Sequence, residues 1–115
     1  MKKSLLIVSL LFIIPTLFSQ EISRKKELIE IVNSYTKELQ LNTSQKRKFK
    51  KVIFKYDSQF QNFLKENIDN DNNKYHFNKL LKEEVLEIYD FLTKKQFSKY
   101  KKLKKLLEPK KTYQI

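Results

Sequence analysis

The residues of this chain that could bind a metal are few and scattered. The sequence has one histidine, His76, and no cysteine, whereas zinc and copper sites need several nitrogen or sulfur ligands. Asp69, Asp71 and Asn73 alternate like the start of a calcium-binding loop. Such a loop needs glycine at its sixth position and glutamate at its twelfth, but lysine and leucine stand there. The sequence therefore predicts no metal site and no cofactor.

Carboxylates are the other candidates for chemistry, because general acid–base catalysis needs acidic groups that converge in a pocket. Glu83, Glu84 and Glu87 lie close together in one segment. We interpret them as the acidic face of a helix that pairs with the lysine-rich helix following it. The chain has no glycine, which phosphate-binding loops and nucleophile elbows require. The sequence therefore predicts a protein that is not an enzyme.

A basic segment with aromatic side chains is the strongest candidate for a binding surface. The chain has a formal net charge of +12, and positive charge steers the encounter with acidic or unfolded protein clients. The candidate client-binding residues are Lys46, Arg47, Lys50, Lys51, Phe54 and Lys55. Phe54 lies off the apolar stripe of its helix, so we expect its ring to be exposed. The alternative is that these lysines form only a solvated helix face.

The N-terminal segment has the layout of a secretory signal peptide. Lys2 and Lys3 precede an apolar run over residues 5–14, and cleavage is expected after Ser19. An uncleaved anchor is the alternative, but the run is shorter than the roughly 20 residues that span a bilayer. We therefore expect an exported protein. With residues 1–19 removed as the signal peptide, residues 20–115 form one domain, and its tail, about 109–115, is expected to be loose.

Apolar residues recur with helical period in four segments of the chain. The predicted helices span residues 22–39, 42–67, 74–91 and 93–107, and a polar run at 69–73 separates the second from the third. The stripe of the second helix repeats over four turns and is formed by Phe49, Val52, Ile53, Tyr56, Phe60, Phe63 and Leu64. The third is apolar on more than one face, which favours a second buried contact such as a dimer interface. The predicted fold class is all-α.

Two short segments of the sequence match one another at an offset of 51 residues. Leu41-Asn42-Thr43-Ser44-Gln45 precedes the second predicted helix, and Leu92-Thr93-Lys94-Lys95-Gln96 precedes the fourth. Asn42 and Thr93 can each cap a helix with a side-chain oxygen, while Gln45 and Gln96 can bond back to the cap residue. Each segment therefore predicts a capping box at a bend, with Leu41 or Leu92 packed against the turn that follows.

Paired segments of this kind resemble the LTxxQ motifs of the Spy/CpxP family of periplasmic proteins. Leu92-Thr93-Lys94-Lys95-Gln96 matches the motif fully, whereas Asn42 replaces its threonine in the first copy. The resemblance covers about residues 25–107. It implies two LTxxQ-linked helical hairpins in a cradle-like homodimer, located in the periplasm and without a catalytic site.

The resemblance also implies a function. Family members bind unfolded or stress-damaged envelope proteins without ATP, and we expect the same of this chain. The alternative is a regulator of an envelope-stress sensor, or a binder of acidic envelope components such as a membrane surface, without general chaperone activity. The basic charge would also suit nucleic acid, but export makes a nucleic-acid partner unexpected.

Overall fold

The computed structural model describes residues 22–65 and 70–114, and within them the fold is all-α, as the sequence predicts. The described residues form four helices and no strand: α1 over 22–39, α2 over Thr43–Lys65, α3 over Asp71–Tyr89 and α4 over Lys94–Leu107. None of these helices has the length and apolar character needed to cross a bilayer. The predicted signal peptide lies outside the described residues and stays a prediction.

The chain divides at Glu30 into two units, Met1–Glu30 and Ile31–Ile115. Of the first unit, the described residues 22–30 are helical and contain one ion pair, between Arg24 Nη1 and Glu27 Oε2 at 3.0 Å. This i,i+3 pair on an exposed surface stabilises the helix by only a few tenths of a kcal/mol. Leu28 is buried in the first unit, whereas the aromatic core and the candidate site belong to the second.

Aromatic rings fill the core of the second unit where α1, α2 and α4 meet. Tyr35 lies 4.7 Å from Phe49 and 5.4 Å from Tyr100 between ring centroids, and all three side chains are fully buried. Phe60 of α2 meets Phe77 of α3 at 5.6 Å in an edge-to-face contact farther along the bundle. Such ring pairs each contribute roughly 0.5–1.5 kcal/mol beyond the area they bury. The apolar stripe predicted for α2 is therefore the side that faces the core.

Helix α3 begins three residues earlier than the predicted start at Lys74. Asn70 caps it, because its side-chain oxygen accepts hydrogen bonds from the backbone N–H groups of Asn72 at 2.8 Å and Asn73 at 3.4 Å. Asp71 in the first turn places a negative charge at the positive end of the helix dipole. The residue types of the polar run favour both turns and helix caps, so the sequence pattern places the break too far along the chain.

Helix α1 ends in a Schellman motif without a glycine. Gln40 has φ 55°, in the left-handed region, and its N–H donates to Lys37 O at 3.4 Å. The N–H of Leu41 donates to Thr36 O at 3.0 Å. These are the two hydrogen bonds of the motif, which glycine usually completes. A side chain at this φ costs about 1 kcal/mol, so the sharp link after α1 carries backbone strain.

The segment after α4 is held against the helices, which the sequence did not predict. The Asn78 side chain and the Gln114 backbone exchange two hydrogen bonds, Gln114 N to Asn78 Oδ1 at 2.7 Å and Asn78 Nδ2 to Gln114 O at 2.9 Å. The Lys111 ammonium lies 4.5 Å from the centroid of the Phe60 ring. Residues 108–114 therefore pack along α2 and α3.

Candidate functional site: the linked helix starts and the groove beside them

Both LTxxQ-like segments form the two hydrogen bonds of a capping box. At α4, Gln96 N donates to Thr93 Oγ1 at 3.1 Å, and Thr93 N donates to Gln96 Oε1 at 3.0 Å. At α2, Gln45 N donates to Asn42 Oδ1 at 2.8 Å, and Asn42 N donates to Gln45 Oε1 at 3.0 Å. Asn42 therefore caps α2 as Thr93 caps α4, since both side chains offer an acceptor oxygen at the cap. Leu41 and Leu92, which precede the caps, are half-buried.

The two capping glutamines also bind one another across the bundle. Gln45 Nε2 donates to Gln96 Oε1 at 2.8 Å, and Gln96 Nε2 donates to Gln45 Oε1 at 3.2 Å. We call the segment between α1 and α2, and that between α3 and α4, the two links. The second donor of each amide bonds to a backbone carbonyl at the other link: Gln45 Nε2 donates to Phe91 O at 3.0 Å, and Gln96 Nε2 donates to Leu39 O at 3.2 Å. A primary amide offers two donors and two acceptor lone pairs, so every hydrogen-bonding position of both amides is used. We call Gln45 and Gln96 the glutamine pair.

The two links are related but not identical. At an offset of 51 residues, Leu39 corresponds to Asp90, yet the carbonyl that the glutamine pair uses is that of Phe91. The link after α3 closes with i→i+3 turns, from Phe91 N to Ile88 O and from Leu92 N to Tyr89 O, both at 3.4 Å. The link after α1 turns instead through the left-handed Gln40. The different backbone paths shift the accepting carbonyl by one residue.

A surface groove of about 510 Å³ lies between α2 and α3. We call it the α2–α3 groove, and it is lined by Lys48, Lys51, Val52, Lys55, Leu86, Glu87, Asp90 and Phe91. Lysines stand on the α2 side, and the two acids stand on the α3 side. Leu86 is 56% exposed, which leaves apolar surface open to solvent in the groove. The arrangement offers an apolar contact between opposite charges, a suitable site for a polypeptide segment.

Two of the predicted client-binding residues, Lys51 and Lys55, line this groove. Lys55 is not free, because its ammonium lies 2.7 Å from Glu87 Oε1. Glu87 therefore pairs with α2, and the interpretation that it pairs with the lysine-rich fourth helix is wrong. The hydrogen bond from Lys55 lowers the pKa of Glu87, an effect that partial burial opposes. Burial, together with the nearby Glu87 carboxylate, raises the pKa of the Tyr56 hydroxyl.

The other predicted client-binding residues are not among the groove-lining residues. Lys46, Arg47 and Lys50 are exposed on α2. Phe54 is half-buried rather than fully exposed, and the Lys50 ammonium lies 5.8 Å from the centroid of its ring. A cation over an aromatic face at this distance contributes about 0.5–1 kcal/mol at an exposed site. Sequence position alone could not separate these residues from those of the groove.

A buried carboxylate cluster joins α3, α4 and the segment after α4. Glu84 is 0% exposed and accepts hydrogen bonds from Lys104 Nζ at 2.8 Å and Lys111 Nζ at 3.0 Å. Lys111 also pairs with Glu108 at 2.5 Å, and the Tyr35 hydroxyl donates to Glu108 at 2.8 Å. Buried charges need this degree of pairing to offset their desolvation. The predicted pairing of the third helix's acids with the fourth helix is thus correct for Glu84.

The cluster shifts the ionisation of its members in directions set by burial and by charge. Burial alone would raise the pKa of Glu108, but the ammonium groups of Lys111 and Lys104 outweigh it and hold that pKa below its usual range. Burial, followed by the nearby carboxylates, raises the pKa of both Tyr35 and Tyr100 far above the ordinary value. At neutral pH both phenols are therefore protonated, and Glu108 is ionised.

Neither metal motif considered from the sequence finds partners among residues 22–65 and 70–114. His76 is exposed, and its ring lies 5.3 Å from that of Tyr75. Asp71 and Asn73 belong to the first turn of α3 rather than to a loop, while Asp69 lies outside the described residues. No group of three or more His, Cys, Asp or Glu side chains in these ranges is placed to hold a metal ion.

Two features that the structure brings together are not predicted by the sequence. The glutamine pair was not expected, because capping alone already accounted for both residues. The carboxylate cluster was not expected beyond Glu84, because Glu108 and Lys111 lie past the predicted end of the last helix. The only available signal was an acidic residue immediately before Pro109 in an otherwise basic segment.

Comparisons with protein-family models, curated proteins and solved structures find no match for this chain. The resemblance to the Spy/CpxP family therefore depends on the two motif segments and the helical pattern around them.

Proposed function

We propose that this protein binds non-native polypeptides in the periplasm without ATP and without catalysing a reaction, as Spy/CpxP-like chaperones do. The observation that carries the proposal is the α2–α3 groove, where the exposed Leu86 stands between a basic wall and an acidic one. Unfolded segments present apolar side chains next to backbone and charged groups. Such a groove can contact these segments weakly and in many registers, which suits a binder of varied clients.

The glutamine pair supports the proposal by fixing the end of the groove. Phe91 lines the groove, and its carbonyl accepts the hydrogen bond from Gln45 Nε2. The motif residues therefore position a surface instead of acting on a ligand themselves. In the proposal, they hold the helix starts that set the groove's shape. The proposal also includes the homodimer that the family resemblance implies, and light scattering after size-exclusion chromatography measures its mass.

The experiment is suppression of aggregation of a heat-unfolding client by the purified protein at near-equal molar ratio, without ATP. We expect protection that weakens as salt rises, because the groove lysines steer the encounter. The double variant Lys48→Gln/Lys51→Gln should protect less than the natural chain. The double variant Lys25→Gln/Lys26→Gln, which removes the same charge from exposed positions on α1, should protect equally well.

If the protein gives no protection at all, even at low salt, the chaperone proposal is rejected. The alternative would then be a protein that regulates an envelope-stress sensor or binds acidic envelope components. Equal losses in the two double variants would instead show that overall charge, and not the groove, determines protection.

A further inference from the structure

The outward side of α4 carries lysine almost without interruption. At 100° per residue, its exposed positions cover an arc of about 160° along a helix about 21 Å long. We call this surface the lysine face, and its lysines are Lys94, Lys95, Lys99, Lys101, Lys102 and Lys105. The other exposed positions on the arc are Ser98 and Leu106. No acidic residue occurs anywhere in α4.

Within the part of the chain that the structure describes, the lysines of the lysine face form no ion pair, although Glu38 of α1 lines the same pocket as Lys95 and Lys99. Among the described residues, the ion pair that α4 makes comes from Lys104, which points inward to Glu84. Lys101 lies 5.2 Å from the centroid of the Phe97 ring, a contact that leaves its charge in place. On α2, by contrast, Lys55 is paired with Glu87. Six like charges on one surface repel one another, so they do not stabilise the fold.

We propose that the lysine face docks the protein electrostatically on a bilayer leaflet rich in anionic phospholipid. A leaflet presents many phosphate charges over a plane, which matches a straight, broad and uniformly positive helix face. Lysine suits this partner because its ammonium is a flexible point charge on an apolar stem that lies along a surface. Clusters of four to eight basic residues on a helix are typical of binding to anionic lipid.

Leu106 favours a lipid over another polyanion. It is 77% exposed and lies within the lysine arc, between the angular positions of Lys95 and Lys99. An apolar side chain among lysines can enter the boundary between head groups and acyl chains. A nucleic-acid backbone or an acidic polymer would contact the same lysines but would leave this leucine in water. The combination of charge and one apolar group therefore assigns the surface to a membrane.

Vesicle flotation tests this assignment with the full chain, purified as the cell processes it and with its N-terminus read by mass spectrometry. The vesicles contain phosphatidylcholine alone or with ~30% phosphatidylglycerol, at low and at high salt. We expect binding to the anionic vesicles that salt abolishes. The variant Lys95→Gln/Lys99→Gln/Lys102→Gln should bind roughly tenfold to a hundredfold more weakly. Its helicity, measured by circular dichroism, should be unchanged.

The matched control removes the same charge from exposed positions of α2, as Lys46→Gln/Lys48→Gln/Lys50→Gln. It should bind anionic vesicles within about threefold of the natural chain. The proposal is overturned if both triple variants lose the same amount of affinity for anionic vesicles, since net charge alone would then explain the binding. It is also overturned if the natural chain does not bind anionic vesicles. The lipid assignment is also overturned if the chain binds double-stranded DNA as tightly as anionic vesicles and the α4 variant loses the same affinity for both. The lysine face would then bind polyanions in general.

Discussion

The side-chain amides of Gln45 and Gln96 donate hydrogen bonds to one another, at 2.8 and 3.2 Å, across the two helix starts that their own caps define. Each glutamine therefore has a local role at its helix and a long-range role between helices separated by 51 residues. The two roles use different atoms of the same amides. The Oε1 atoms accept from both the cap and the partner, while the Nε2 atoms donate only across the bundle. The two sequence-related segments are therefore held together by hydrogen bonds between their glutamines.

We predict that Gln45→Ala and Gln96→Ala are each destabilising and that their effects are not additive. Either change removes four hydrogen bonds and leaves polar groups of the other link unpaired, so each should lower the unfolding free energy by about 1–3 kcal/mol. The double variant should lose less than the summed losses, with a coupling energy of about 0.5–3 kcal/mol. Urea denaturation measures the unfolding free energies of the natural chain, the two single variants and the double variant, which together form a double-mutant cycle. Gln59→Ala, at an exposed position of α2, is the control, and strict additivity would contradict the pairing.

We predict that Gln40→Gly stabilises the protein. Gln40 is in the left-handed region at φ 55°, where glycine avoids the steric cost of a side chain. The gain in unfolding free energy should be about 0.5–1 kcal/mol, since glycine also has more freedom to lose from the unfolded chain. Asp90→Gly is the matched control at the end of α3, because Asp90 is right-handed with φ −60° and ψ −29°. That change should destabilise by a similar amount, and a gain at both positions would argue against the strain.

We predict that Glu84→Gln is among the most damaging single substitutions in the second unit. It leaves the buried ammonium groups of Lys104 and Lys111 without one of their carboxylates, which costs about 3–5 kcal/mol for a buried pair. In a domain of this size, the thermal midpoint should fall by roughly 12–40 °C. The exposed neighbour supplies the control, because Glu83→Gln should change stability by less than about 0.5 kcal/mol. Equal effects of the two changes would mean that the cluster does not stabilise the fold.

We predict that stability falls above pH ~10 and that Tyr35 is one cause. Its pKa is raised in the folded state by burial and then by Glu108. Its contribution is therefore complete below the ordinary tyrosine pKa of about 10 and is lost as pH rises above it, by up to about 1.4 kcal/mol per pH unit. Tyr35→Phe should lower stability at neutral pH, through its lost hydrogen bond to Glu108, yet flatten the alkaline slope. Urea midpoints across this range measure the slope. Exposed Tyr113→Phe should leave it unchanged, and an unchanged slope in Tyr35→Phe would contradict the assignment.

Features that depend on the local spacing of residues could be predicted from the sequence. The spacing of Phe49, Ile53 and Phe60 predicted the buried side of α2, and the Thr93–Gln96 spacing predicted the cap of α4. The beginning of α3 was misplaced because Asn70 and Asp71 stand in a run where every residue favours both turns and caps. Local pattern does not distinguish the cap from the turn in such a run.

Features that depend on distant residues could not be predicted in the same way. Glu84 is one of several acids in α3, and nothing in its neighbours indicates that it is the fully buried one. Its burial depends on Lys104 and Lys111 reaching it from two later segments. The glutamine pair likewise requires both links to meet in space. The α2–α3 groove depends on which lysines of α2 face α3, a property of packing rather than of composition.

The most direct test of the proposed function is site-specific photo-crosslinking from the α2–α3 groove to a non-native client. A benzophenone amino acid replaces Leu86 in one preparation and Leu106, an exposed leucine on α4, in another. Both are mixed with a client before and during heat unfolding. We predict crosslinks from position 86 that appear only as the client unfolds and few from position 106. Equal crosslinking from both positions, or none from position 86, would contradict a polypeptide-binding groove between α2 and α3.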